Sequence, residues 1–261
     1  MARLAGNSKH YTIEYQVQVL DSKGKPTKYV GAVNDKFLSV TSVIDAIEKP
    51  ALRDWFYKQG IQGVSELLTK FKDKTPHDYD SLISLMKTQK KGPYYTRDTA
   101  AKRGTDIHET FERLLKGENI EVDDDNYGLV SWWSHRGLSP DDIIASEVQL
   151  VSLRHRTAGT VDVIYREPET GLVVCCDLKT GRTVQPTYFV QGEAYKMMVA
   201  ETPWLDTTVD KVTVLHVRPP DELPDGWKEY SYPEITEASF LAALELYRAL
   251  PHAYWNPEEE A

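Results

Sequence analysis

Residues 11–19, YTIEYQVQV, alternate polar and apolar side chains, the two-residue period of a half-buried strand. Asp21 to Lys25, with Gly24, predicts a turn and Tyr29 to Val33 the returning strand, so the chain is expected to open on a hairpin. Phe37 to Ile47 then leads into a helix that Ser39, Thr41 or Ser42 can cap before Pro50 interrupts it. Leu52 to Phe56 continues in helical register, Ile61 to Phe71 gives another amphipathic helix, and Asp80 to Met86 a short one broken by Lys91-Gly92-Pro93. A longer helix is predicted from near Thr96 to about Lys116. Ile107, Phe111, Leu114 and Leu115 form its apolar stripe, and Gly117 can end it.

The second half changes period. Tyr127 to Arg136 reads as a short aromatic helix containing Trp132 and Trp133, and Ile143 to Leu153 as a strand with Glu147, Gln149 and Val151 on one face. Ala158 to Lys179, AGTVDVIYREPETGLVVCCDLK, reads as two strands joined by the turn Glu167-Pro168-Glu169-Thr170-Gly171. Pro186 marks the start of a helix to about Ala200. Val209 to Val217 and Lys228 to Tyr232 predict strands, Ala238 to Leu250 a closing helix, and residues 256–261 a disordered tail. The pattern is that of an α/β protein with a central mixed sheet flanked by helices. One domain is expected, with a hairpin and mainly helical elaboration over 1–95 packed on a core over 96–255.

Composition narrows the class. At 261 residues and 41% hydrophobic, the chain can bury a sizeable core. No apolar run approaches the roughly 18 residues of a membrane span, and the first seven residues lack a signal peptide's hydrophobic middle, so a cytoplasmic protein without membrane partners is expected. Cys175 and Cys176 are adjacent in a strand and point to opposite faces, which excludes a disulfide between them. The net charge of −9 argues against a protein that coats nucleic acid, yet Lys87, Lys90, Lys91, Arg97, Lys102 and Arg103 are clustered against Asp98 alone. Tyr94 and Tyr95 in that stretch can stack on bases, and the plain alternative is a solvated helical face. Arg154-His155-Arg156 is a second basic turn.

The chemistry lies in the apolar hairpin. Asp162 sits between Val161 and Val163, and Asp177 ends a run of Leu172, Val173, Val174, Cys175 and Cys176. Ionised carboxylates in such settings need a partner, and two beside one hairpin suggest a divalent metal. Asp177 and Lys179 point to the same face of their strand, about 6–7 Å apart along the backbone. His108 lies at the edge of its helix's apolar stripe, where a packed core histidine is the ordinary reading. His108-Glu109-Thr110-Phe111-Glu112 is no zinc-protease motif, because its fifth residue is Glu112 rather than His. Gln191 and Tyr195, four apart, project from one helical face.

An Asp, a hydrophobic strand and then Asp177-Leu178-Lys179 resemble the PD-(D/E)XK nuclease superfamily. His108 in GTDIHETF, Glu147 in ASEVQL, and Gln191 with Tyr195 in QGEAY resemble its RecB-like branch, in the order that branch uses. The likeness is specific over about Gly104 to Tyr195 and looser in SVTSVIDAIEKPALRDWF, which resembles phage-encoded members. It implies a restriction-endonuclease-like core, Mg²⁺ or Mn²⁺ held by Asp162, Asp177, His108 and the backbone carbonyl of Leu178, and Lys179 at the attacking water. Glu147 would bind a second metal through water, orient the nucleophile or pair with a base. Gln191 and Tyr195 would hold a phosphate or DNA end, with Lys102, Arg103, Arg156 and Arg182 as further substrate contacts. The four cysteines of the iron–sulfur CRISPR-associated relatives are missing, so a cluster-free exonuclease of phage or mitochondrial type is the nearer likeness, and the function it implies is a metal-dependent DNA exonuclease in recombination, repair or replication of phage or bacterial DNA. A non-catalytic recombination scaffold and an endonuclease of the same superfamily are the alternatives. The substrate implied is linear DNA with an end. A single-strand annealing protein or a helicase is an implied partner, since no GxxxxGK is present for ATP-driven unwinding, and ring-forming members leave a homo-oligomer open.

Overall fold

The computed structural model describes residues 3–7, 10–20, 26–45, 47, 50–72, 76 and 78–250. In chain order the elements are β1 (Arg3–Asn7), β2 (His10–Leu20), β3 (Pro26–Ser39), α1 (Val40–Ile44), α2 (Pro50–Phe71), α3 (Tyr79–Thr88), α4 (Pro93–Leu115) and α5 (Tyr127–Arg136). They continue with β4 (Ile143–Ser152), β5 (Thr157–Arg166), β6 (Val173–Lys179), α6 (Pro186–Ala200), β7 (Lys211–Val217), β8 (Trp227–Tyr230) and α7 (Glu237–Ala249). The expected tail over 256–261 lies outside the described residues. Among the described residues no helix is long and apolar enough to cross a membrane.

Backbone contacts divide the chain into two compact units, Met1–Ile47 with Phe111–Ala261, and Glu48–Thr110. The division does not follow the expected boundary at 95. The N-terminal hairpin joins the sheet, because Leu38 and Ser39 of β3 pair in parallel with Thr157 and Ala158 of β5. Sequence adjacency had grouped the hairpin with the helices that follow it, whereas main-chain hydrogen bonding groups it with the sheet.

The first unit is an α/β assembly on one mixed sheet in the order β1-β2-β3-β5-β6-β7-β8, with β4 paired to β5. β3–β5 and β6–β7 are parallel, and the remaining pairs are antiparallel. Val173 to Leu178 are all buried, so β6 reads as a continuous apolar run because both of its faces are covered. On one side α1, α6 and α7 supply Val43, Ala194, Met198 and Phe240 to a cluster that includes Ile164 and Cys175. Tyr165, next along β5, packs on the other side, where Trp132 of α5 meets its ring edge-on at 5.8 Å and Phe111 at 5.7 Å. Arg136, in the last turn of α5, donates to Glu167 at 3.0 Å and to Glu229 at 2.6 Å, and the Trp132 indole also donates to Glu229. This half-buried ion network ties α5 to the β5–β6 turn and to β8. Cys175 and Cys176 are both free and buried.

In the second unit, the two helical segments expected on either side of residues 57–60 are one 22-residue helix, α2. Nothing in Tyr57-Lys58-Gln59-Gly60 stops a helix, since an internal Gly costs only about 1 kcal/mol relative to Ala. Gly63 turns its missing side chain to use: a Cβ there would stand 3.0 Å from the backbone nitrogen of Gly92. α4 begins at Pro93, three residues earlier than expected, because a proline suits the first helical position. It closes as expected at Gly117, whose φ of 76° lets Glu118 N–H reach the Arg113 carbonyl at 3.1 Å.

Gly128, at the start of α5, is pressed against the turn before β8. A Cβ there would lie 1.9 Å from the Gly226 carbonyl oxygen. Gly128→Ala is therefore expected to destabilise the protein by about 1–3 kcal/mol, read as a lower urea midpoint with unchanged slope. A midpoint equal to the parent's would contradict this packing.

Candidate metal centre

Asp162 stands where β5 exchanges neighbours. β4 runs along one edge of β5, so β6 and β3 share the other, β6 pairing Val163 to Arg166 and β3 only Thr157 and Ala158. Between them the ladder opens. The Asp162 carboxylate enters this opening, its Oδ2 accepting the backbone N–H of Leu178 at 2.6 Å. A side chain thus takes the place of a main-chain acceptor as β6 parts from β5.

Register brings two more carboxylates to the same place. Val163 pairs with Cys176, so the next residue along each strand sets Asp177 beside Asp162. Ser146 pairs with Val163 and Val148 with Val161, which puts Glu147 across from Asp162. Glu147 has a φ of 48°, a left-handed backbone costing a non-glycine residue roughly 1–3 kcal/mol. The burial of β4 still alternates as the sequence pattern predicts, with Glu147, Gln149 and Val151 on the more exposed face and Leu150 and Ser152 buried on the other.

The electrostatics follow from this crowding. Burial raises the Asp162 pKa above the ordinary carboxylate value, although Lys179 and the Leu178 N–H both oppose the rise. Glu147 is exposed as a residue, yet burial of its carboxyl, then the charges of Asp162, Glu112 and Asp177, push it up to about 7. Lys179 forms an ion pair with Asp177, and its Nζ lies 5.0 Å from the centre of the Tyr188 ring. Burial works against the ammonium, but Asp177 and Asp162 outweigh it and raise its pKa.

His108 rides on α4 one turn before Glu112. Within the first unit, Glu147 and Asp162 bring carboxylate oxygens within 4.8 Å of each other, whereas His108 belongs to the Glu48–Thr110 unit. Two carboxylates with raised pKa values, with Asp177 next to them in register, form an oxygen donor set that can hold a divalent cation.

The other expected site residues are placed as follows. Gln191 donates from Nε2 to the Tyr195 hydroxyl at 2.8 Å, and Tyr195 is buried against β5, where a Cβ on Gly159 would stand 2.7 Å from its ring. The Gln191–Tyr195 bond puts the two side chains on one face of α6, as their spacing predicts. Arg182 is exposed on the bend after β6. Arg156 is exposed in the β4–β5 turn with its guanidinium 5.5 Å from the Phe37 ring centre. Lys102 is exposed and Arg103 half-buried on α4, within the Glu48–Thr110 unit. In the same basic stretch Lys91 is paired with Glu66 and Arg97 with Asp98.

Sequence reasoning missed four residues. Glu112 and Tyr188 border the centre through the effects described above. His216, paired in register with Lys179, donates from Nε2 to the Gly181 carbonyl at 2.7 Å, and Arg218 donates to the Thr180 carbonyl at 2.8 Å. Together they fix the bend that follows Lys179. Only the alternation of β7, which sets His216 two residues before Arg218, hinted at either. No protein-family model matches the chain, and no characterised protein matches it by sequence.

A pKa raised in the folded state costs stability above the unfolded value. Between about 4.5 and about 7 the folded chain keeps a proton on Glu147 that the unfolded chain has lost, so stability falls as pH rises through that window, and Asp162 acts in the same sense. In EDTA the melting temperature should fall across this window. Glu147→Gln should flatten the fall, and Mg²⁺ or Mn²⁺ should raise the melting temperature more above the window than below it. Parallel pH profiles for the parent and Glu147→Gln would refute the assignment.

Proposed function

We propose that this protein is a divalent-metal-dependent nuclease that degrades DNA from an end, built on a restriction-endonuclease-like core of the PD-(D/E)XK kind. The observation that carries this reading is the row of Glu147, Asp162 and Asp177 across three adjoining strands, with the Lys179 ammonium paired to its last member. Lysine placed against metal-ligating carboxylates is what phosphodiester hydrolysis requires, since negative charge builds on the phosphate as water attacks.

Asp162, Asp177 and the Leu178 carbonyl would hold Mg²⁺ or Mn²⁺, and the family likeness alone adds His108, whose imidazole would make Mn²⁺ at least as suitable. Bound there, the cation supplies an activated water and neutralises charge on the phosphate and the leaving oxygen. Lys179, kept protonated by Asp177 and Asp162, orients the water and offsets phosphate charge rather than acting as a base. Glu147, across from Asp162, would orient the attacking water or bind a second cation through it. Arg182 follows Lys179 on a bend held by His216 and Arg218, which suits it to a phosphate flanking the cleaved bond.

End-labelled linear duplex, linear single strand and closed circular DNA, each with Mg²⁺, Mn²⁺ or EDTA, test the reading. Metal-dependent loss of linear substrate is expected. Asp177→Ala and Lys179→Ala should each slow it by on the order of 10²–10³ or more while keeping the parent's circular dichroism. Cutting of the closed circle would move the assignment to an endonuclease, and binding without cleavage in either metal would move it to a recombination scaffold.

A further inference from the structure

Lys179 is held on two sides. Asp177 pairs with its ammonium, and the Tyr188 ring stands over the same nitrogen, its centre 5.0 Å away. Only 21% of the lysine side chain is exposed, so little water solvates the charge, and a ring face against a desolvated ammonium is the stronger form of this contact. Tyr188 sits in the first turn of α6 between Thr187 and Phe189, both of them buried. Its footing is rigid, whereas the four-carbon stem of a lysine is flexible. The bend after β6 lies beside the tyrosine hydroxyl: a Cβ on Gly181 would stand 4.0 Å from it, and His216 and Arg218 fix that bend through the Gly181 and Thr180 carbonyls.

We infer that Tyr188 is a positioning residue for the proposed hydrolysis: its ring face and the Asp177 carboxylate occupy two sides of the Lys179 ammonium and leave the third N–H for the attacked phosphate and its water. The inference rests on the nuclease reading. An ammonium carries its three donors on a nitrogen that turns freely about its last bond, so one ion pair alone leaves the other two unaimed. A second fixed contact stops that rotation. The remaining N–H then points the same way before substrate arrives. Such aim raises rate more than affinity, because the charge it meets on the phosphate is fully developed only in the transition state. The ring, not the space it fills, is what the role requires: a leucine at 188 would cover the ammonium without presenting a negative face to it.

Initial rates of the full chain on a concentration series of linear duplex DNA, in Mg²⁺ or Mn²⁺, separate kcat from KM. Tyr188→Leu should lower kcat roughly tenfold with KM within about twofold of the parent's, and Tyr188→Phe should recover most of that loss. Phenylalanines bearing successively more fluorines at position 188 weaken the ring's negative face at nearly constant volume, so log kcat should fall in step with fluorination. A leucine variant as fast as the parent overturns the inference. A phenylalanine variant as slow as leucine does so too, by assigning the loss to the hydroxyl, and a flat fluorine series does so by assigning it to packing. A parent that cleaves no DNA in either metal instead refutes the nuclease reading, and the hold on Lys179 is then decided without turnover, by pulsed acetylation read by mass spectrometry. Lys179 should be labelled several times faster in Tyr188→Leu than in the parent, with the fluorinated series between them. Equal labelling throughout overturns the inference whatever the rates on DNA.

Discussion

Carboxylates set side by side across adjoining strands repel one another, and the rest of the sheet is arranged around holding three of them in a row. Glu147, Asp162 and Asp177 come from β4, β5 and β6, so no local turn can account for their meeting. Two features oppose the repulsion within the sheet itself. Lys179 neutralises Asp177, and the Leu178 N–H is donated to Asp162 at the point where the ladder opens. Compensation is incomplete, as the raised pKa of Glu147 and the strained backbone beneath it both show. A bound cation would relieve such charge, and backbone strain beside perturbed carboxylates is a feature that functional positions share.

The surrounding packing explains how that arrangement persists. α1, α6 and α7 cover one side of the sheet and α5 the other, so β6 is walled in along its whole length and cannot relax away from β5. The Arg136 network clamps the turn that joins the two strands, and His216 with Arg218 clamps the bend beyond Lys179. Both ends of the hairpin are thus fixed by cations or imidazole reaching carbonyls and carboxylates, while its middle carries the acidic row.

Much of this was legible in the chain because the signals are periodic. β5, β6, α5 and α6 fall within a residue or two of the expected bounds, since apolar runs, the turn from Glu167 to Gly171 and Pro186 mark them directly. Asp162, Asp177 and Lys179 stood out as polar residues inside apolar runs. What escaped was set by tertiary contact. The parallel pairing of β3 with β5 is a long-range hydrogen-bonding choice, with no local signature to separate the hairpin from the helices after it. The left-handed conformation of Glu147 has none either, because only the strands around it impose that backbone. Tyr195 shows both sides: its spacing from Gln191 predicts the bond that the two side chains form, while the packing of its ring into the space that Gly159 leaves has no local signature.

The chain's two thiols occupy neighbouring positions in the most enclosed strand of the sheet, and burial raises the pKa of each well above that of a free cysteine. Thiolate, not thiol, reacts with maleimides and disulfides, so the folded protein is chemically silent toward such reagents. Any cysteine introduced on its surface becomes the sole addressable handle. The native chain is in this sense already the cysteine-free background that site-specific labelling ordinarily requires, with no change to the strand that carries Asp177.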